Sequence, residues 1–566
     1  MSNVSPPTVR EQLLRLQRDT FSRLEEALRS RQMRETRQLR NYRRPYDREV
    51  RSYRRVSCKS ELLEKVLDAS IVYCGDYHTL RQAQRTPIRI LREVLPERDV
   101  HLALEMVPQS CEKLANDYIR KRIDESRFLD GMNYRERWGF PWAHYRQLFV
   151  FAREHGIRIV ALNSDQGDRL ELTARDELAA ELIVRHALAL PDVLIFALYG
   201  DLHVARAHIP ARVEKLLRKH GIRRKTLTVF QNSEPIYWDL AEKEMEERVD
   251  VVEITAHSYC ILSAAPWIKW QSYQSWLEDQ SDLLDDSSAE DAEPAPDYYH
   301  QILDLADRIG RFLELVPAEL EQFSVLTAKD VRIIDEINTY CEECEHHHPT
   351  LAALIRSEVV ENGSSLFPEH SVLYLGDVSE NRAAEKAAQL LVSKLTPRFS
   401  VYGHGTDRKE IFYRLVLWEA IAYFGSKIVN PKRKCDRYLD FERLLKQHHG
   451  RRLRGELRAQ REIAVMVLAH RSYENRRVET GRKQGLPRRL YRLPPQEFFR
   501  CASALGKILA DRMYHMMITD EMSKGTIRDL FRPVGEGERE GFDRYWQLAG
   551  IVARVHSAHV SKEDRF

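Results

Sequence analysis

Residues 71–78, IVYCGDYH, and 193–203, VLIFALYGDLH, are two copies of one pattern. Each is an apolar run of strand length, rich in β-branched and aromatic residues, that stops at Gly-Asp-x-His. Outward from this pair the same punctuation recurs in HLALEM (101–106), RIVALN (158–163) and LTVFQ (227–231), with segments of helical periodicity between successive runs. Strands alternating with helices predict βαβ units, hence an α/β fold with a mainly parallel sheet flanked by helices. Residues 251–254 and 258–262 have no helix between them and predict an antiparallel addition at one edge.

In an open parallel sheet the carboxyl ends of the strands share one edge, and ligands bind there where the strand order reverses. That edge is where these runs place Asp76, His78, Glu105, Asn163, Asp201 and His203. The glycine of each Gly-Asp-x-His permits a positive φ or a close backbone approach as the chain leaves the strand. Imidazole titrates near neutrality and offers a ring nitrogen to a metal or a proton, so two histidines beside carboxylates suit metal ligation or general acid–base chemistry. His78, Glu105 and His203 are the candidate catalytic and metal-ligating set. A His after a strand also serves as an ordinary hydrogen-bonded turn residue, which is the competing reading for each one singly.

The 566 residues carry 89 Lys and Arg against 86 Asp and Glu, a net +3 that gives the whole chain no argument for a nucleic-acid partner. The first 60 residues are locally basic, with 16 Lys and Arg against 7 acids, and read as a helical extension (1–59) broken near Pro45, its charges a solvated face. The α/β domain is expected over 60–276. Residues 277–297, LEDQSDLLDDSSAEDAEPAPD, hold nine acids and no base and predict a disordered linker. Residues 298–566 are largely helical in pattern and predict an α-helical domain of unassigned function. No apolar run approaches the roughly 18 residues of a membrane span, and the N-terminus shows neither an export signal nor an early lipid-attachment cysteine, so a cytoplasmic protein is expected.

At the quoted residues the sequence resembles the ChaN-like haem-binding family of the Tiki/TraB superfamily, which also contains erythromycin-esterase-like proteins. The resemblance spans about 65–265. It rests on GDYH with Gln82 and Gln84 following, LALEMVPQ around Glu105, Trp142–Tyr145 ahead of REHGIRIVALN, and GDLHV at 200–204. It implies that His78, Glu105 and His203 line the cleft, with Asp76 standing where relatives more usually carry Glu. It also implies two chemistries: haem held through Tyr77, His78, Tyr199 or His203, or ester or amide hydrolysis by a His–Glu pair or a metal-bound water. The expected cofactor is haem or a divalent metal ion. A third reading makes the cleft vestigial and the chain a scaffold, in which the basic N-terminal helix and the helical domain bind a partner protein or an anionic surface. No GxSxG, HExxH or P-loop pattern occurs, which disfavours a serine hydrolase, a zincin and a nucleotidase.

Two further features stand apart. Cys341, Cys344 and His346 to His348 have the spacing of a metal clip without a second pair. Tyr402 to Gly405 read as a loop ahead of a helix capped at Asp407.

Overall fold

The computed structural model describes residues 7–31, 36–166, 170–285, 298–317, 320–327, 338–339, 349–376, 379–395, 407–450, 452–481, 489–532, 540–553 and 565–566. The Cys341–His348 cluster and the Tyr402–Gly405 loop lie outside them. The chain forms two compact units, one of 21–293 with 563–566, the other of 1–20 with 294–562.

The first unit is built on an eight-stranded sheet: β1 (Arg55–Ser57), β2 (Ile71–Asp76), β3 (Val100–Pro108), β4 (Arg158–Asn163), β5 (Leu194–Gly200), β6 (Thr226–Gln231), β7 (Val251–Thr255) and β8 (Ser258–Ile261). Their order is β1-β7-β8-β6-β2-β5-β3-β4. From β8 to β4 every neighbouring pair is parallel, while β7 is antiparallel to both β8 and β1. The fold class is therefore the expected one, α/β with a mainly parallel, helix-flanked sheet, beside a mainly helical C-terminal region. Both faces of the central strands are buried, which is why β2 and β5 read as continuous apolar runs rather than alternating ones.

Three local readings change. The basic extension is two helices, α1 (Val9–Arg31) and α2 (Arg37–Glu49), and Pro45 lies inside α2 instead of ending a helix. Tyr42 and Tyr46, one turn apart, are both buried, and burying two aromatic rings outweighs the single N–H that Pro45 cannot supply. β1 falls within the same extension; it is held at the sheet edge by ion pairs from Arg54 (3.2 Å) and Arg55 (2.6 Å) to the buried Glu253 of β7. The helix Pro266–Asp285 continues into the stretch read as a linker, whose residues 286–297 lie outside the described ones.

In the second unit the helix Arg408–Val429 is capped by Asp407, whose carboxylate accepts from the Lys409 N–H (2.9 Å). It is buried along its length, with Phe412, Trp418, Tyr423 and Phe424 in the core. It packs on the helix Pro495–Ile518 at a glycine: a Cβ on Gly506 would run into the Val416 carbonyl oxygen and lie 2.9 Å from the Ala420 nitrogen. This unit also contains a small sheet missing from the helical expectation, β9 (Ser324–Thr327), β10 (Ser364–Phe367) and β11 (Val372–Leu375) in the order β10-β11-β9. Among the described residues no helix is long and apolar enough to cross a membrane.

A histidine pair makes the first unit sensitive to acid. His101 Nδ1 and His186 Nε2 lie 2.7 Å apart. Burial, then the neighbouring His186 and Arg158, push His101 down to about 4, and burial also lowers His186. Unfolded imidazoles, titrating near 6.5, bind protons that the folded pair refuses. The pair's contribution is thus fully present above about pH 6.5 and is lost as the pH falls toward 4. Urea midpoints at pH 7 and pH 5 are expected to drop further for the wild-type chain than for His101→Gln.

Candidate functional site

The β2 and β5 carboxyl ends are adjacent, with Gly75 opposite Tyr199 and Asp76 opposite Gly200 in register. Neither Gly75 nor Gly200 has a positive φ. What their glycines provide is close approach: a Cβ on Gly75 would collide with Asp201 Oδ1, and one on Gly200 would stand 3.3 Å from both Glu105 Oε2 and His78 Nε2 and 3.4 Å from His203 Cδ2. Three side chains from three strand ends thus surround one glycine.

The His78 half is built on Asp76, which is 4% exposed. Its Oδ2 lies 3.0 Å from His78 Nδ1 and accepts from the Tyr145 hydroxyl (2.7 Å). Its Oδ1 accepts from the buried Gln84 amide, which also reaches the Tyr77 carbonyl (3.2 Å) and so fixes the turn that carries both residues. Burial opposes a proton on His78, but the hydrogen bond and charge of Asp76, joined by Glu105, outweigh it and raise the imidazole above its ordinary value. Glu105 Oε2 accepts from the Gly200 N–H (2.7 Å) and sits 3.7 Å from His78 Nε2, while Oε1 is paired with Arg175.

The His203 half centres on Asp176, which is wholly buried. Asp176 Oδ1 lies 2.7 Å from His203 Nδ1, and Oδ2 lies 3.3 Å from Arg212 Nη1. Tyr42 of α2 joins them, its hydroxyl 2.9 Å from each Asp176 oxygen and 2.7 Å from His203 Nδ1.

A cavity of about 340 Å³ opens at this edge, with Tyr77, His78, Asp201, His203, Lys269 and Phe140 among its walls. Asp201 is buried, with the Tyr46 hydroxyl beside its carboxylate. Burial pushes its pKa up to about 6, against the pull of the Lys269 ammonium 3.9 Å away. Lys269 also lies over the Tyr77 ring, 4.6 Å from its centre.

Of the residues expected at the edge, His78, Glu105 and His203 converge around Gly200, and Asp76, Tyr77 and Asp201 join them. Tyr199 is buried within β5 behind His203, with ring centres 5.0 Å apart. Asn163 instead caps its own strand end, accepting from the Ser164 N–H (2.9 Å). Of the expected metal-ligating set, Glu105 is committed to Arg175 and the Gly200 N–H. Among the described residues no group of three or more His, Cys, Asp or Glu is arranged to hold a metal ion.

Tyr42, Arg175, Asp176 and Lys269 were not anticipated. For Asp176 the signal was present: it occupies the buried stripe of the helix Leu172–Ala189 with Ala179, Ala180, Ile183 and Ala187, where a carboxylate needs a partner.

Residues 62–176 match the sequence model of the family described as haem-binding uptake, Tiki superfamily, ChaN. The chain carries a ChaN-like domain. The match takes in Asp76, His78, Glu105 and Asp176 and leaves out Tyr42 and His203. A solved structure titled "Cofacial heme binding to ChaN of Campylobacter jejuni" is similar at 13% identity, covering 31% of this chain and 86% of that one with a TM-score of 0.26. Protein RETICULATA-RELATED 5, chloroplastic, of Arabidopsis thaliana is 28% identical over 111 residues, 18% of this chain; the chain spans only 15% of that relative's length.

Proposed function

We propose that the ChaN-like domain binds haem in the cavity at the carboxyl ends of β2 and β5. The observation that carries this reading is the placing of Tyr77 and His78, both partly exposed, on the wall of that cavity. Tyr and His are axial ligands of haem iron. Tyr199 and His203 are buried, which favours the first pair over the second. The other walls suit the rest of the group: Phe140, Trp270 and Tyr273 offer apolar ring faces, and Lys269 and Arg43 offer cations to the propionates. Haem would supply iron chemistry once bound; the chain's part is to orient it, with Asp76 holding His78 by Nδ1 and leaving Nε2 as the presented nitrogen.

Titrating the full chain with haemin is expected to give a saturable shift of the Soret band. Tyr77→Phe or His78→Ala should change its position, and Asp76→Asn should weaken binding about 10–100-fold. Absence of a saturable shift in the wild-type chain would overturn the reading.

One observation favours a second reading, a hydrolase. Two imidazoles face the site, each with Nδ1 beside a carboxylate, Asp76 for His78 and Asp176 for His203, an arrangement that orients a general base. Turnover of ester or peptide substrates that is lost in His203→Ala would support it.

A further inference from the structure

Asp176 is shared. His203 Nδ1 stands on one side of it at 2.7 Å, and on the other Arg212 (3.3 Å) and His208 Nδ1 (3.5 Å) face Oδ2. The Tyr42 hydroxyl is the group that spans both sides, reaching the two carboxylate oxygens and the imidazole nitrogen together. A carboxylate only accepts, so the phenol donates to Asp176, and the proton between His203 and Asp176 sits on Nδ1. Placed on Nε2, it would leave two lone pairs facing each other at 2.7 Å. Nε2 is then the bare nitrogen of His203.

The ring that carries this hydroxyl is held independently of it. Tyr42 stacks on His208 with ring centres 4.0 Å apart, and His208 Nε2 donates to the Tyr42 carbonyl (2.9 Å). On the same helix Leu39, Arg43 and Tyr46 line the cavity. All of α2 precedes the residues that match the family model.

We infer that Tyr42 is a positioning residue of the ligand site, its hydroxyl holding Asp176 against His203, so that α2 is a constituent of the site and not an appendage. Calling it a ligand site rests on the proposed function; the positioning of His203 does not. Without the hydroxyl, Arg212 draws the carboxylate to its side, and His203 loses the acceptor that fixes its proton.

The test is Tyr42→Phe in the full chain, which keeps the ring and its stacking. With ¹⁵N-labelled histidine, and His203 assigned by its absence from His203→Ala, the wild-type chain is expected to show a protonated Nδ1 and a bare Nε2. In Tyr42→Phe the two nitrogens should move toward a common averaged value. Tyr42→Leu, which removes ring and hydroxyl together, should do the same if the hydroxyl is what matters. His203 signals unchanged in both variants would overturn the inference. Haemin titration of the same samples separates the two claims: a wild-type chain that binds no haemin removes the haem reading, while the histidine spectrum still decides the role of Tyr42.

Discussion

Gly506→Ala is expected to destabilise the helical unit by about 3 kcal/mol or more, at or beyond the upper end of ordinary overpacking. The new methyl would meet backbone, the Val416 carbonyl and the Ala420 nitrogen, with Glu419 Cβ at 3.0 Å, and backbone inside a helix cannot rotate aside as a side chain can. Relief requires the helices Arg408–Val429 and Pro495–Ile518 to separate, which loosens the aromatic core between them, Phe412 against Phe498 included. Gly550→Ala is the matched control. It lies in the helix Glu540–Val552 with no described atom within 4 Å of an added Cβ, so it is expected to stabilise by about 0.5–1 kcal/mol through helix propensity alone. Thermal unfolding of the two variants beside wild type checks both signs. Equal, small effects would mean that the helices are not in close contact.

Glu105→Ala is expected to cost about 3–5 kcal/mol, as removal of one partner of a buried ion pair does. Glu105 is 2% exposed; the substitution takes the carboxylate from Arg175 and leaves the buried Gly200 N–H without its acceptor. Glu105→Gln keeps an oxygen for the Gly200 N–H and should fall between Ala and wild type. Urea denaturation gives the ordering directly. If Ala and Gln were equally harmless, Glu105 would have only a ligand-facing role. The expected result makes it the strut on which the two Gly-Asp-x-His turns are set.

The legible part of this molecule was the part written in local pattern. Apolar runs that end in Gly-Asp-x-His marked β2 and β5, and the parallel sheet brings their ends together, so the meeting of Asp76, His78, Glu105 and His203 at one edge was legible from sequence. Their partners were not, because the partners are matters of packing. Tyr42 sits among arginines, in a helix whose charges suggested solvent, and only the tyrosine pair one turn apart, Tyr42 and Tyr46, hinted at a buried face. Arg175 and Asp176 adjoin in one helix yet serve different halves of the site, Glu105 and His203 respectively. A metal set was expected because the residue types permit one; the structure commits both Glu105 oxygens instead, one to the Arg175 guanidinium and the other to the Gly200 N–H. β1 escaped notice because three residues, Arg55 to Ser57, carry no periodicity to read.

The Tyr42 hydroxyl closes contacts over 134 residues of chain to Asp176 and 161 to His203. The entropy of closing such loops comes due before the contacts repay it, so in folding this corner is expected to assemble after the local βα pairings around it. During synthesis α2 leaves the ribosome first and must wait for the chain as far as His208 and Arg212 before it has anything to hold. The side chains that hold His78, those of Asp76, Gln84 and Tyr145, all come from residues up to 145, although β2 itself is framed by β5 and β6. The two histidines of one cleft are thus held at different reach: one by side chains of its own stretch of chain, the other by a hydroxyl from the domain's beginning.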